Sequence, residues 1–172
     1  MSADLARPKL LVLLRHAKSS WKHSDLADLD RPLNKRGRVA APRIGLWLKE
    51  KRIVPDRILS SPARRAIDTA ELALSALGSH AAAELEPALY LAEPAQIWDV
   101  IRARGHEARC LMIVGHNEGM EELVSELASE PVRFPTGAVA VVSVHADDWA
   151  RATRDRATVI EICRPKDLAA GP

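Results

Sequence analysis

The feature that most restricts the fold of this chain is a set of short apolar runs that break off abruptly into polar residues. Lys9 to Leu14 (KLLVLL) is continuous enough for a strand buried on both faces, and it stops at Arg15, His16, Lys18, Ser19 and Ser20. Arg57 to Leu59 runs straight into Ser60-Ser61-Pro62, and Ala108 to Val114 (ARCLMIV) ends in Gly115-His116-Asn117. Two further runs, Ala138 to Val144 and Ala157 to Cys163, also read as strands. The second of these alternates in polarity, which places it near a sheet edge.

Helical patterns fill the intervals. Leu33 to Lys51 sets Val39, Ile44, Leu46, Trp47 and Leu48 against basic positions, with Pro42 and Gly45 weakening the middle. Serine followed by proline starts a helix from Ala63 to Leu77, and Gly78 stops it. Pro94 to Arg104 presents Ile97, Trp98 and Ile101 inward, and Glu118 to Ser129 is helical. A short strand falls within Ala83 to Leu91, while Trp21 to Pro32 is a polar, acidic loop. Alternating strands and helices predict an α/β domain, a three-layer α/β/α sandwich with a mixed, mostly parallel central sheet. A chain of 172 residues suits a single domain spanning 1–172, with a core of about 9–164, flexible ends and a frayed tail from Lys166.

Charge narrows the partners. With 25 basic and 23 acidic residues the net charge is +2, too even for an obligatory nucleic-acid or membrane partner, so any strong positive field must be local. No run is long enough to cross a bilayer, and Met1 to Pro8 lacks the apolar stretch of a signal peptide, so the cytoplasm is the expected compartment. Cys110 and Cys163 lie in strand-like runs and read as buried thiols. Metal-ligand spacings are missing, so neither a metal nor any other cofactor is expected.

If the strands are parallel, three of their ends meet at one sheet edge, where open α/β sheets bind ligands. The first brings Arg15 and His16, the second the serine-proline turn leading to Arg64 and Arg65, and the third His116. Arginine forks match phosphate oxygens bidentately and stay charged. A histidine among such cations has its pKa lowered by like charge, which keeps the imidazole neutral and nucleophilic. Taken singly, an Arg-His pair or a helical arginine is more often structural. Their joint order along the chain carries the argument.

Leu14-Arg15-His16-Ala17-Lys18-Ser19 resembles the R-H-G-x-S signature of the histidine phosphatase, or phosphoglycerate mutase-like, superfamily. Ser61 to Ala70 (SPARRAIDTA) is similar to its S-P-x-x-R-A-x-x-T-A segment, and Gly115-His116-Asn117 to its G-H-N strand end. Asp30 to Asn34 with Arg36-Gly37 also resembles an R-P-L-N-x-x-G segment of small members. The nearest subgroup is the SixA-type phosphohistidine phosphatases, whose members are short. The resemblance implies His16 as nucleophile, Arg15 and Arg65 as phosphate clamps, and His116 as the second histidine of the site. It adds Ser19 as a donor to phosphate, Arg64 as a rim charge on a variable position, and Lys22 where relatives often carry asparagine. Ala17 replaces the motif glycine, a change that a small side chain tolerates.

Larger members use a carboxylic acid to protonate an alcohol leaving group. Here Glu84, Glu86, Glu93 and Asp30 are candidates by loop position alone. A site without a placed acid favours the better imidazole leaving group of phosphohistidine over an alkoxide. The expected substrate is therefore a phosphorylated protein, for example a histidine-containing phosphotransfer domain, with the phosphoryl group passing through His16. A broad small-molecule phosphomonoesterase is the alternative, and a phosphate-binding module without turnover is a third reading.

Overall fold

The computed structural model describes residues 7–168. Six strands form one sheet: β1 (Lys9–Arg15), β2 (Arg57–Ser60), β3 (Ala83–Leu85), β4 (Cys110–Gly115), β5 (Val139–Val144) and β6 (Ala157–Cys163). Their order is β3-β2-β4-β1-β5-β6. The pairs β3-β2, β2-β4 and β4-β1 are parallel, and β1-β5 and β5-β6 antiparallel. The alternating run 157–163 is an edge strand, as its pattern predicts.

Each buried strand sends alternate side chains to opposite faces. Leu11, Leu13, Leu59, Leu111 and Ile113 pack beneath α3 (Pro94–Arg104) and α4 (Gly119–Ala128). Val12, Leu14, Ile58, Met112 and Val114 pack against α1 (Lys35–Glu50) and α2 (Arg64–Leu77). The result is the expected three-layer sandwich.

Helix α1 departs from the sequence reading in a useful way. Its buried stripe is Gly37, Ala41, Ile44, Gly45 and Leu48, whereas Val39 and Leu46 are exposed. The reason is close packing on α2: a Cβ on Gly45 would lie 2.0 Å from the Ala73 carbonyl oxygen. Gly45 is thus a contact point and not a weak spot, and the helix runs on through Pro42. The tail contains a 3-10 turn at Pro165–Asp167. Residues 1–6 and 169–172, where flexible ends are expected, lie outside the described residues. Among the described residues no helix is long and apolar enough to cross a membrane.

Candidate active site

Sheet order brings the motif residues together. β1, β4 and β2 are neighbours, parallel and in step, with Leu14 opposite Val114 and Val114 opposite Ser60. Their carboxyl ends therefore finish at one level. The ladder continues one residue further, since the His16 amide donates to Gly115 O at 3.0 Å and the Ser61 amide to Val114 O at 2.9 Å. A cavity of about 370 Å³ opens there, and Arg15, His16, Ser19, Arg65 and His116 all line it.

The two histidine rings are neighbours, with centroids 5.1 Å apart and planes tilted by 58°. His16 Nδ1 lies 2.7 Å from Ala17 O. Because a carbonyl can only accept, Nδ1 carries the hydrogen and the Nε2 lone pair is the free one. His116 Nε2 is 2.7 Å from Ser61 Oγ, a pair buried between β4 and the start of α2. Ser61 was expected to start α2 as a cap. Instead Ala63 takes the N-cap position, and the Ser61 hydroxyl, while accepting from the Ala63 amide at 3.2 Å, holds a site histidine.

Burial is the leading cause of depressed basicity in both rings. It lowers His16 to about 4, with Arg65, Arg15 and Arg31 adding to the shift, and His116 to about 3, with His16 and Arg65 adding. The sequence argument from like charge has the right direction but names the smaller cause. Both imidazoles are neutral at physiological pH.

The arginines are held by backbone and by one carboxylate. Arg15 Nη1 donates to Phe134 O at 3.0 Å. Arg65 donates from Nη1 to Asp28 O at 2.6 Å and from Nη2 to Asp28 Oδ2 at 2.9 Å. Asp28 also accepts from Arg31 Nε at 3.0 Å and from the Tyr90 hydroxyl at 2.6 Å. The Tyr90 hydrogen bond, followed by that of Arg65, pulls the Asp28 carboxyl down to about 2. What remains is informative: Nε of Arg15, Nε of Arg65 and Nδ1 of His116 are buried without a hydrogen-bond partner among the described residues.

Other expected residues lie elsewhere. Arg64 turns along the outside of α2 to pair with Asp68 at 2.7 Å, and Lys22 is exposed; neither lines the cavity. The four candidate acids are also outside it. Glu84 pairs with Arg57 and Arg104, Glu86 with Arg104, Glu93 caps α3, and Asp30 is exposed. The carboxylate that does line the cavity, Asp28, sits two residues before Asp30 in a loop whose acidic residues look alike in sequence. Arg31 stands in the R-P-L-N-x-x-G segment, which was its available signal. Asn117 stands in the G-H-N strand end, which was its signal, whereas Tyr90 and Thr136 carried none. Trp21 stands at the mouth, 78% exposed, with the Arg31 guanidinium over its ring at 3.4 Å.

The remaining motif positions are scaffold. Thr69 Oγ1 accepts from the Ala17 amide at 2.9 Å and donates to Arg65 O at 2.6 Å, tying the histidine loop to α2. Asn34 caps α1 through the Gly37 amide and donates to Ser19 O at 3.3 Å. A Cβ on Gly37 would sit 2.2 Å from Lys18 O, so only glycine lets α1 approach this loop. Among the described residues, no three His, Cys, Asp or Glu side chains gather as a metal-holding group.

The model for the histidine phosphatase superfamily (branch 1) matches residues 11–90. An uncharacterised protein of Mycobacterium tuberculosis is 35% identical over 150 residues, covering 80% of this chain and 90% of that one. The chain belongs to the histidine phosphatase superfamily. A second relative of this phosphatase, an uncharacterised chloroplastic protein of Arabidopsis thaliana, is 30% identical over 151 residues, covering 83% of the phosphatase and 69% of the relative. In structure the phosphatase is similar to a protein of Agrobacterium tumefaciens assigned as the phosphohistidine phosphatase SixA. That match has a TM-score of 0.78 and 30% identity, over 92% of this chain and 99% of the other.

Proposed function

We propose that this phosphatase acts on phosphohistidine carried by a protein and passes the phosphoryl group through His16. The observation that carries the reading is that Arg15, Arg65 and His116 line one cavity beside a neutral histidine, while Arg15 Nε, Arg65 Nε and His116 Nδ1 are buried without a hydrogen-bond partner among the described residues. Buried donors are rarely left unsatisfied, and a tetrahedral anion supplies acceptors for all three.

His16 Nε2 attacks phosphorus in line with the departing group. The N–P bond to the substrate imidazole, protonated on its other ring nitrogen, breaks as the bond to His16 forms, so the imidazole leaves neutral. Arginines 15 and 65 and the His116 N–H offset the charge on the equatorial oxygens, so positioning and preorganised electrostatics supply most of the acceleration. Water then attacks the phosphorylated His16, releasing phosphate and restoring the neutral ring. Asp28 does not supply the leaving group's proton in this reading, because the Tyr90 and Arg65 hydrogen bonds hold its carboxyl down at about 2. An imidazole leaving group suits this site, since it needs less proton assistance than an alkoxide. The similarity to the Agrobacterium protein supports the same substrate class.

The test is metal-free turnover of a phosphohistidine-bearing phosphotransfer protein beside p-nitrophenyl phosphate, with His16→Ala in parallel. Fast loss of phosphohistidine with weak ester turnover, both abolished by the substitution, is expected. Comparable ester turnover would move the assignment to a general phosphomonoesterase, and full activity of His16→Ala would refute the nucleophile.

A further inference from the structure

A larger cavity of about 680 Å³ lies beside the site, and the two share Lys18 and Thr136 in their walls. Its lining contains Lys18, Lys35, Arg36, Arg43, Arg164 and Lys166 and no carboxylate. None of these six cations forms an ion pair among the described residues. In a protein with a net charge of only +2, this is a local concentration of one sign.

Its shape limits the ligand. Lys35, Arg36, Val39, Ala40 and Arg43 share one face of α1, and at about 1.5 Å rise per residue Lys35 and Arg43 stand about 12 Å apart along the axis. A single phosphate or carboxylate does not bridge that distance. Between the cations the floor is aliphatic, formed by Val39, Ala40, Pro135 and Pro165. Val39 is 48% exposed, which leaves apolar surface open to a partner. Aromatic side chains, on which single-stranded nucleic acids stack, are missing from the lining.

We infer that this groove docks an acidic, apolar-spaced segment of the protein substrate while its phosphohistidine occupies the neighbouring pocket. The inference rests on the phosphoprotein reading above. Continuity through Lys18 and Thr136 lets one polypeptide reach both cavities, and the cations select acidic partners and speed their encounter.

The test uses Arg36→Glu/Arg43→Glu, two outward positions of α1 that lie outside the catalytic pocket. A fluorescein-labelled peptide of alternating glutamate and leucine, and a single-stranded RNA of equal length, are titrated by anisotropy at low and high salt. Tighter binding of the peptide than of RNA, weakened by salt and by about tenfold or more in the variant, is expected. Stronger RNA binding, or unchanged peptide affinity in the variant, would overturn the inference. Kinetics supply the second arm: the variant should lose about tenfold in kcat/KM on an acidic phosphohistidine protein, through KM, with phosphoramidate turnover within about twofold of wild type. Equal losses on both substrates, or none on the protein, would also overturn it. Should the unaltered enzyme hydrolyse phosphoramidate but no phosphohistidine protein, the substrate reading fails, and the docking of substrate fails with it. Peptide binding that persists in that case separates this failure from one of the groove itself.

Discussion

Replacing Ser61 by alanine removes a single oxygen from the wall of the pocket and tests how His116 is set for its task. Ser61 is fully buried and His116 only 3% exposed. The Ser61 Oγ accepts from the Ala63 amide at 3.2 Å and lies 2.7 Å from His116 Nε2, and the proposed donor role of His116 toward phosphate assigns the Ser61 hydrogen to that nitrogen. That assignment puts the imidazole hydrogen on Nδ1, the nitrogen without a protein partner. In Ser61→Ala, Nε2 is left buried and unpaired, which costs about 1–3 kcal/mol of stability. The second loss is the tautomer preference, because the neutral ring can then place its hydrogen on either nitrogen. Outright removal of a transition-state donor typically lowers kcat by about 10²–10³, and a misassigned tautomer removes part of that, so a fall of about 10–100-fold is expected. Steady-state kinetics on a phosphohistidine protein, thermal denaturation, and nitrogen NMR of the His116 ring read the three consequences. A variant with lowered stability, kcat within about twofold of wild type and an unchanged tautomer would refute the reasoning and reduce Ser61 to scaffold.

With His16 as the proposed nucleophile, its depressed value of about 4 predicts that kcat/KM holds well below pH 6, with any acid limb from this group near 4, as a pH–rate profile would show. Stability follows the same ring: its folded pKa lies below the unfolded value, so the unfolded chain binds more protons and stability falls as pH drops from about 6.5 toward 4. For His16 this amounts to about 2 kcal/mol between pH 7 and pH 5, so urea denaturation of His16→Asn should show about that much less pH dependence than wild type, the part due to His116 remaining. Asp28→Asn should lower kcat/KM by about tenfold, because Arg65 and Arg31 lose a shared charged partner; kinetics at the wild-type level would show that the backbone contact to Asp28 O alone positions Arg65. Gly37→Ala should damage activity more than stability by displacing the Lys18–Ser19 loop, whereas Gly45→Ala should do the reverse by forcing α1 off α2. Comparing melting temperature with specific activity for the pair separates the two effects.

The sheet edge was legible because strand ends are written in the order of residues. An apolar run that stops at Arg15-His16, another at Ser60-Ser61 and a third at Gly115-His116 need only parallel, in-step pairing to converge, and β1, β4 and β2 have it. The network behind the arginines was not legible. Asp28 reaches Arg65 across 37 positions and Tyr90 across 62, and which of several loop carboxylates does so depends on how the 3-10 turn Asp28–Asp30 aims its first residue. Side-chain hydrogen bonds of this range leave no periodicity behind.

Helix α1 shows a different limit. Periodicity weighs residues by hydrophobicity, so Val39 and Leu46 looked like core and Gly45 like a defect. Packing weighs them by the distance at which two backbones can meet, and there a Cβ on Gly37 or Gly45 would lie 2.2 or 2.0 Å from a neighbouring carbonyl oxygen. Turning the small residues inward necessarily turns Val39 outward, between Lys35, Arg36 and Arg43. The misread core residue and the cationic groove therefore have one cause: α1 is rotated to lay its glycines on the active-site loop and on α2. Its opposite face becomes the cationic wall on which the proposed docking of a substrate protein rests.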